Sequence, residues 1–240
     1  GSRIIEAIAV DSGGGNYFTG SFDTDTFTFA NDTGSTNFGF YSRLNNLTIG
    51  KYNTNGTPVW GYSPTAIGGG IGGEDIAYYR GHIYVTGTFG DTVAFSSADT
   101  LIANNIGSAF IMKMDTSGNV KWVTKQDSVE SNCIAVRGSS VVIGGLKEDF
   151  GRTDTFNHFF ARYDTTGKLV KTISSKNKPF TTRYQEVTAV GIDRNGNIIG
   201  GGDFRDSLAF GSTQITKFKG SSNDYDGFLV KFDKNLKVQW

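Results

Sequence analysis

Along the whole chain, short apolar stretches alternate with clusters of Gly, Asn, Asp, Ser and Thr. No stretch repeats apolar residues at i, i+3, i+4 and i+7, the spacing of an amphipathic helix, so the pattern predicts strands and almost no helix. The strands fall into four recurring kinds. Kind A is read at Ile4–Val10, Asp75–Tyr79, Asn132–Val136 and Val187–Ile192, and kind B at Asn16–Phe22, His82–Phe89, Val141–Gly145 and Asn197–Phe204. Kind C is read at Leu47–Tyr52, Phe110–Met114, Phe159–Tyr163 and Phe228–Phe232, and kind D at Thr57–Trp60, Asn119–Val123, Lys168–Ile173 and Leu236–Trp240.

A constant interval ties C to D. Lys51, Lys113, Arg162 and Lys231 are each followed nine positions later by Trp60, Trp122, Lys171 and Trp240. Between them stand Asn53-Thr54-Asn55-Gly56, Asp115-Thr116-Ser117-Gly118, Asp164-Thr165-Thr166-Gly167 and, less faithfully, Asp233-Lys234-Asn235-Leu236. One hairpin is written four times. A hairpin repeated at this period predicts an all-β chain, a β-propeller of four four-stranded antiparallel blades. As one domain over residues 1–240, its blades are expected at 3–70, 71–127, 128–182 and 183–240. The first repeat opens on strand A and the last closes on strand D, so no exchanged strand latches the ends. A closed four-bladed ring and a four-blade segment of a larger propeller both satisfy the pattern.

Link lengths then orient the repeats. From the end of A (Asp11, Arg80, Arg137, Asp193) to a glycine in B (Gly20, Gly87, Gly145, Gly202) the steps are 9, 7, 8 and 9. From that glycine to the basic residue of C they are 31, 26, 17 and 29. From the D position to the end of the next A they are 20, 15 and 22. The A–B and C–D turns are short, whereas the B–C and D–A links vary. In an up-and-down blade the variable links share one face, where binding groups are expected.

Composition narrows the function classes. Equal numbers of basic and acidic residues, 23 each, give no field that favours nucleic acid or an anionic membrane. No apolar run reaches the length of a membrane-spanning helix. The single Cys133 excludes an intramolecular disulfide. It sits in the apolar Cys133-Ile134-Ala135-Val136 and reads as a buried thiol. Gly1-Ser2 resembles a cloning scar, so a leader and an anchor are expected outside these residues.

The repeats resemble the bacterial β-propeller repeat family of surface and secreted proteins. The residues that carry the likeness are Ile8-Ala9-Val10-Asp11, Ile83-Tyr84-Val85-Thr86-Gly87-Thr88-Phe89, Phe110-Ile111-Met112-Lys113-Met114-Asp115 and Gly118-Asn119-Val120-Lys121-Trp122. The Gly-x-x-x-Trp strands also resemble quinoprotein-like propeller repeats. The family resemblance implies an extracellular or cell-surface location and carries no shared catalytic motif. Lys147 and Lys171 depart from the repeat where Phe and Trp are expected, and Leu236 stands where the turn calls for Gly.

Candidate chemistry lies on the variable links. Tyr41, Arg43, Asn45 and Asn46 mark the first B–C link, Arg183 and Tyr184 the last D–A link, and Arg205, Asp224, Tyr225 and Asp226 the last B–C link. Tyr and Arg are the residue types that dominate binding hot spots. Trp60, Trp122 and Trp240 are expected to pack rather than to stack sugars, and the basic residues of C to be exposed or to snorkel. Asp193-Arg194-Asn195-Gly196-Asn197 and Asp224-Tyr225-Asp226-Gly227 imitate the opening of a calcium loop, but lack its distal Glu. A tight A–B turn, which Asn195-Gly196 favours, is the preferred reading of the first, and a plain loop that of the second, so no cofactor is assigned and calcium stays the alternative. Glu6, Glu74, Glu130 and Glu186 recur near strand A at unequal offsets. His82 and His158 lie in different repeats without a ligand cluster for zinc. Gly68-Gly69-Gly70-Ile71-Gly72-Gly73 reads as a flexible link. Asp91-Thr92-Val93, Asp99-Thr100-Leu101, Asp127-Ser128-Val129 and Asp206-Ser207-Leu208 resemble a bacterial O-glycan acceptor pattern, or plain strand-edge alternation. The expectation is a non-enzymatic binding or spacer module that recognises a protein or glycan, with self-association if the ring is incomplete. The alternative is a glycan-cleaving or redox propeller with catalytic groups in the long links.

Overall fold

The computed structural model describes residues 3–23, 26–29, 38–41, 45–104, 107–149, 155–176, 185–216 and 225–240. Every regular element among them is a strand, every pairing is antiparallel, and no helix occurs. None is therefore a helix long and apolar enough to cross a membrane. The chain divides into two compact units, Gly1–Asp127 and Ser128–Trp240.

Unit 1 begins with β1 (Arg3–Val10) and β2 (Asn16–Phe22), followed by a small hairpin of β3 (Thr26–Phe29) and β4 (Phe38–Tyr41). Strands β5 (Asn46–Tyr52) and β6 (Pro58–Tyr62) return to β2, so that β1-β2-β5-β6 make sheet 1. After β7 (Thr65–Ile67) come β8 (Ile71–Tyr79), β9 (His82–Phe89), β10 (Thr92–Ala94), β11 (Thr100–Ile102), β12 (Ser108–Asp115) and β13 (Val120–Asp127). Sheet 2 has the order β8-β9-β12-β13, and the short strands make a separate sheet, β7-β10-β11.

In unit 2, β14 (Val129–Arg137), β15 (Ser140–Asp149), β16 (Thr155–Asp164) and β17 (Leu169–Ser174) form sheet 3 in chain order. Sheet 4 contains β18 (Val187–Ile192), β19 (Ile198–Phe204) and β22 (Asp226–Phe232), with the hairpin β20 (Ser207–Phe210) and β21 (Thr213–Thr216) between the last two. Its expected fourth strand is reduced to one bridge, Phe232 to Val238. Short sheets inside the long links were not anticipated. Those links carry their own two-residue alternation, as in Thr26-Phe27-Thr28-Phe29, and so satisfy their backbone groups by pairing.

The nine-residue interval has a structural cause. Lys51 pairs directly with Trp60, Lys113 with Trp122 and Arg162 with Lys171, each followed by a one-residue slip in register. Lys231 exchanges backbone hydrogen bonds with the Gln239–Trp240 segment. The intervening turn closes on the side chain of its first residue. Asp115 Oδ1 accepts from the backbone N–H of Ser117 and Asn119, and Asn53, Asp164 and Asp233 repeat the arrangement. Asp11 and Asp193 do the same in two A–B turns. Gly56, Gly118 and Gly167 hold the left-handed position with φ of 75°, 87° and 88°, and Leu236 occupies it with φ of 55°.

Strand A of each sheet carries a bulge, at Glu6, Glu74, Asn132 and Thr188. The glycine of strand B sits beside it. A Cβ at Gly20, Gly87, Gly145 or Gly202 would lie 2.0 Å from the carbonyl oxygen of Ile4, Gly72, Glu130 or Glu186. No other residue fits at these positions.

Each unit builds its core between two sheets. In unit 1, Tyr17, Leu47 and Ile49 of sheet 1 pack on Ile76, Ile83, Val85 and Met112 of sheet 2, and the rings of Tyr17 and Tyr78 stack at 6.2 Å. In unit 2, Cys133, Val142 and Phe160 of sheet 3 pack on Val187, Ile198, Val230 and Phe232 of sheet 4. The Phe160 ring fills the space above Gly200, where a Cβ would lie 2.3 Å from it. Leu236 is buried in that same core, which offsets its left-handed backbone.

Candidate functional site

Unit 1 contains an open cleft of about 790 Å³ at the edge of sheets 1 and 2. Its walls come from three links: Asn45 before β5, Gly70 to Glu74 entering β8, and Gly90, Asp91, Asn104 and Gly107 between β9 and β12. These are the B–C and D–A links whose lengths vary. Backbone hydrogen bonds clamp the links together. Ile71 N donates to Asn45 O and Gly90 N to Gly70 O, both at 2.9 Å, and Ala103 N donates to Asp91 O at 2.7 Å.

The glycine run makes this approach feasible. A Cβ on Gly69 would lie 2.4 Å from Gly90 O, and one on Gly73 would lie 2.1 Å from Thr19 Oγ1. The run is therefore not the flexible link the sequence suggested. Its second half opens strand β8, where Gly73 is packed too closely for a Cβ. Asp91, with φ of 55°, is held in the left-handed region and accepts a hydrogen bond from Thr92 Oγ1 at 3.0 Å. Glu74 occupies the bulge of β8, a position that re-aims its side chain relative to the strand. Among the described residues, the lining combines two carboxylates, two amides, the Thr88 hydroxyl, backbone groups and a few apolar side chains. Such a surface suits donors: hydroxyl, amine or cationic groups.

The residues predicted from sequence are distributed as follows. Tyr41 ends β4. Arg43, Arg183, Tyr184 and Asp224 lie outside the described residues. Asn46 is buried: its Nδ2 donates to Pro64 O at 3.3 Å and its Oδ1 accepts from Leu47 N at 3.1 Å. Its neighbour Asn45 is the one exposed to the cleft. In unit 2, Arg205 lies over the Tyr225 ring at 5.6 Å, and Asp226 pairs with Phe204. Gln185 Oε1 accepts from Arg205 N, which brings a second polar group to this place. Asn104 carried no sequence signal. Asp91 and Glu74 were noticed only for an acceptor-like triplet and for a recurring acid.

The acids near strand A are not equivalent. Glu6 and Glu74 sit at the bulge, whereas Glu130 and Glu186 precede it by two residues. Burial pushes the Glu186 carboxyl up, the hydrogen bond from Asn132 Nδ2 at 2.7 Å pulls it back, and nearby Asp203 and Glu130 raise it further. Burial also raises Asp203. The calcium-like Asp193 spends its oxygens on the turn. The side chain of Asn197, two backbone N–H groups and Lys231 hold its carboxyl at about 2. Among the described residues, no group of three His, Cys, Asp or Glu is placed to hold a metal ion.

His158 is buried, with Nε2 2.7 Å from Asp203 O and its ring edge-on to Phe228. Burial lowers its pKa to about 4. Cys133 is a buried thiol outside any disulfide, its Sγ donating to Gly144 O at 3.5 Å. The basic residues of strand C are less free than expected. Lys51 reaches Asp11 at 3.8 Å, the Tyr17 ring at 5.0 Å and Thr116 O at 3.3 Å. Trp60 packs as expected, its Nε1 donating to Thr116 O at 3.0 Å, while Trp240 is exposed.

A scan against protein-family models and a search of curated proteins both return no match for the chain.

Proposed function

We propose that the chain is a non-enzymatic binding module whose unit 1 cleft takes a hydroxyl-rich ligand, a glycan or a glycan-bearing protein. The observation that carries this reading is the cleft itself. It lies on the side of the variable links, is wide enough for one or two sugar residues, and is lined by the polar side chains of Asn45, Glu74, Asp91 and Asn104. Sheets 1 to 4 are, in this reading, the blades of a β-propeller, which the recurring A-to-D order and the repeated bulge support. A scaffold of this kind on a bacterial surface or in secreted form displays such links outward. No cofactor enters the reading.

The test is a glycan array followed by titration calorimetry with the best binder. Asn45→Ala and Glu74→Gln should each weaken binding about tenfold, the worth of one good hydrogen bond. Ser117→Ala, on the tight-turn side, should leave it unchanged. Equal loss at Ser117, or no loss at Asn45 and Glu74, would remove the cleft from consideration. Turnover of the bound glycan would replace the binding module with an enzyme.

A further inference from the structure

The zero net charge of the chain conceals a division between its units. Unit 1 holds 7 basic and 11 acidic residues, and unit 2 holds 16 and 12. Within unit 2 the topology gathers much of the basic charge at the end away from the variable links. The A–B turns of sheets 3 and 4 begin at or carry Arg137 and Arg194, and their C–D hairpins carry Lys168, Lys171, Lys234 and Lys237, all exposed. The two sheets bring these turns together. Backbone N–H groups of Lys237 and Asn235 hold the Asp233 carboxyl of sheet 4 below its usual value, and Lys171 of sheet 3 lies close enough to lower it further. The acids in these turns are Asp164, Asp193 and Asp233. Each directs Oδ1 onto two backbone N–H groups of its own turn, and Asp193 also pairs with Lys231 at 3.4 Å. They close the turns and leave the six cations in excess.

Sheet 3 departs from the repeat at this end. Sheets 1 and 2 set Lys51 and Lys113 directly opposite Trp60 and Trp122, whereas sheet 3 sets Arg162 directly opposite Lys171. Like charges in directly paired positions repel. Arg162 Nε donates to Ser140 Oγ at 2.9 Å, a contact that removes none of the charge. An anion lying across the hairpin would turn that repulsion into attraction.

The turns themselves narrow the kind of anion. Their other exposed side chains include Ser139, Thr166, Asn195 and Asn235, hydroxyls and amides that interleave with the cations. The only large apolar residue within the four turns, Leu236, is buried. A membrane would find nothing there to insert, and a nucleic-acid base no ring to stack on. Four of the six cations are lysines, point charges without the planar fork that grips a phosphate. We propose that this end of unit 2 binds a linear acidic polysaccharide, its carboxylate or sulfate groups on the lysines and arginines and its hydroxyls on the turn side chains. The surface is built from unit 2 alone and is independent of the cleft of unit 1. Unpaired charges lose hydration when covered, so this end gains by meeting anions and not by apolar contact.

The test is titration of the full chain with polygalacturonate, which carries carboxylates, and with dextran sulfate. At least one should bind at about 50 mM salt and weaken at least tenfold by about 200 mM, as counterions return to its acid groups. Neutral dextran should not bind. Combining Lys168→Gln, Lys171→Gln and Lys234→Gln should weaken binding at least tenfold at an unchanged melting midpoint, since all three side chains are exposed. Lys171→Trp, which restores the residue of sheets 1 and 2, should bind more weakly and melt no lower. Lys121→Gln with Lys125→Gln removes two charges from unit 1 and should bind like wild type. So should Asn45→Ala and Glu74→Gln, which separates this surface from the cleft. Binding to neither acidic polymer, equal binding to dextran, or equal loss in the unit 1 lysine pair would overturn the proposal. Tighter binding to oligothymidylate or to phosphatidylserine vesicles would also overturn it, in favour of a nucleic acid or a membrane.

Discussion

Sheets 1 and 4 carry the same hairpin, the same bulge and the same basic residue facing a tryptophan, yet Ile49 and Leu229, each next to the residue that pairs with the strand-B glycine, end in opposite environments. In sheet 1, Ile49 is buried, and Lys51 is held between a carboxylate, a ring and a carbonyl from the next sheet. In sheet 4, Leu229 and Trp240 are exposed, and Lys231 has its partner within its own sheet, Asp193 at 3.4 Å. The difference teaches that alternation along a strand encodes which face is apolar. It does not encode whether another sheet arrives to cover that face.

The largest expected effect tests what the two sheets share. Gly20→Ala and Gly202→Ala each force a Cβ against a carbonyl oxygen at 2.0 Å, so each should cost about 4 kcal/mol or more in urea melts. A cost in sheet 1 alone would mean that the bulge of sheet 4 yields, and the frame of comparison would be lost. Next comes the pair that should differ. Ile49→Ala should cost about 3–4 kcal/mol, and Leu229→Ala, measured in dilute protein, about 0.5 kcal/mol or less. Equal costs would show that Leu229 is covered in solution.

The third test separates the units by pH. His158, in unit 2, is neutral in the folded state because burial holds its pKa near 4, below the 6.5 of a solvated imidazole. Protonation therefore favours the unfolded chain. Its contribution is fully present above pH 6.5 and is lost as pH falls to about 4, a change on the order of 3 kcal/mol. Glu186 and Asp203, with raised values, act in the opposite sense, so the reading is the difference between wild type and His158→Gln across this range. A constant difference would place the ring in water. The smallest effect compares two turns. Gly56→Ala should cost about 1 kcal/mol for its positive φ, and Gly118→Ala about 1 kcal/mol more, because its Cβ also meets the Trp60 ring at 3.0 Å. Equal costs would mean that Trp60 moves aside freely.

Much of the candidate site escaped sequence reading for a physical reason. Asn45, Glu74, Asp91 and Asn104 come from segments that meet only when two sheets pack, so no spacing links them. The sequence did contain one indirect sign, the run Gly68 to Gly73, since repeated glycine marks places where backbones approach closely. Asn46 illustrates the opposite error. It is as polar as Asn45, but strand alternation turns it inward onto Pro64 O. Leu236 illustrates a third case: it departs from the repeat where the turn calls for Gly, and its side chain fills the core of unit 2.

By itself the sequence determined the all-β class, the A-to-D order of the recurring sheets, and the register of each C–D hairpin. All of these follow from contacts within a few residues: an Asp or Asn side chain closing its own turn, a glycine beside a bulge, alternation over a single strand. Only the tertiary structure decided the extra sheets within the long links, the loss of the last strand of sheet 4 to a single bridge, and the cleft of unit 1. It alone decided that Ile49 and Leu229, alike in pattern, differ in burial. Burial depends on what packs from elsewhere in the chain, and hydrophobic free energy is gained only where that second surface is present.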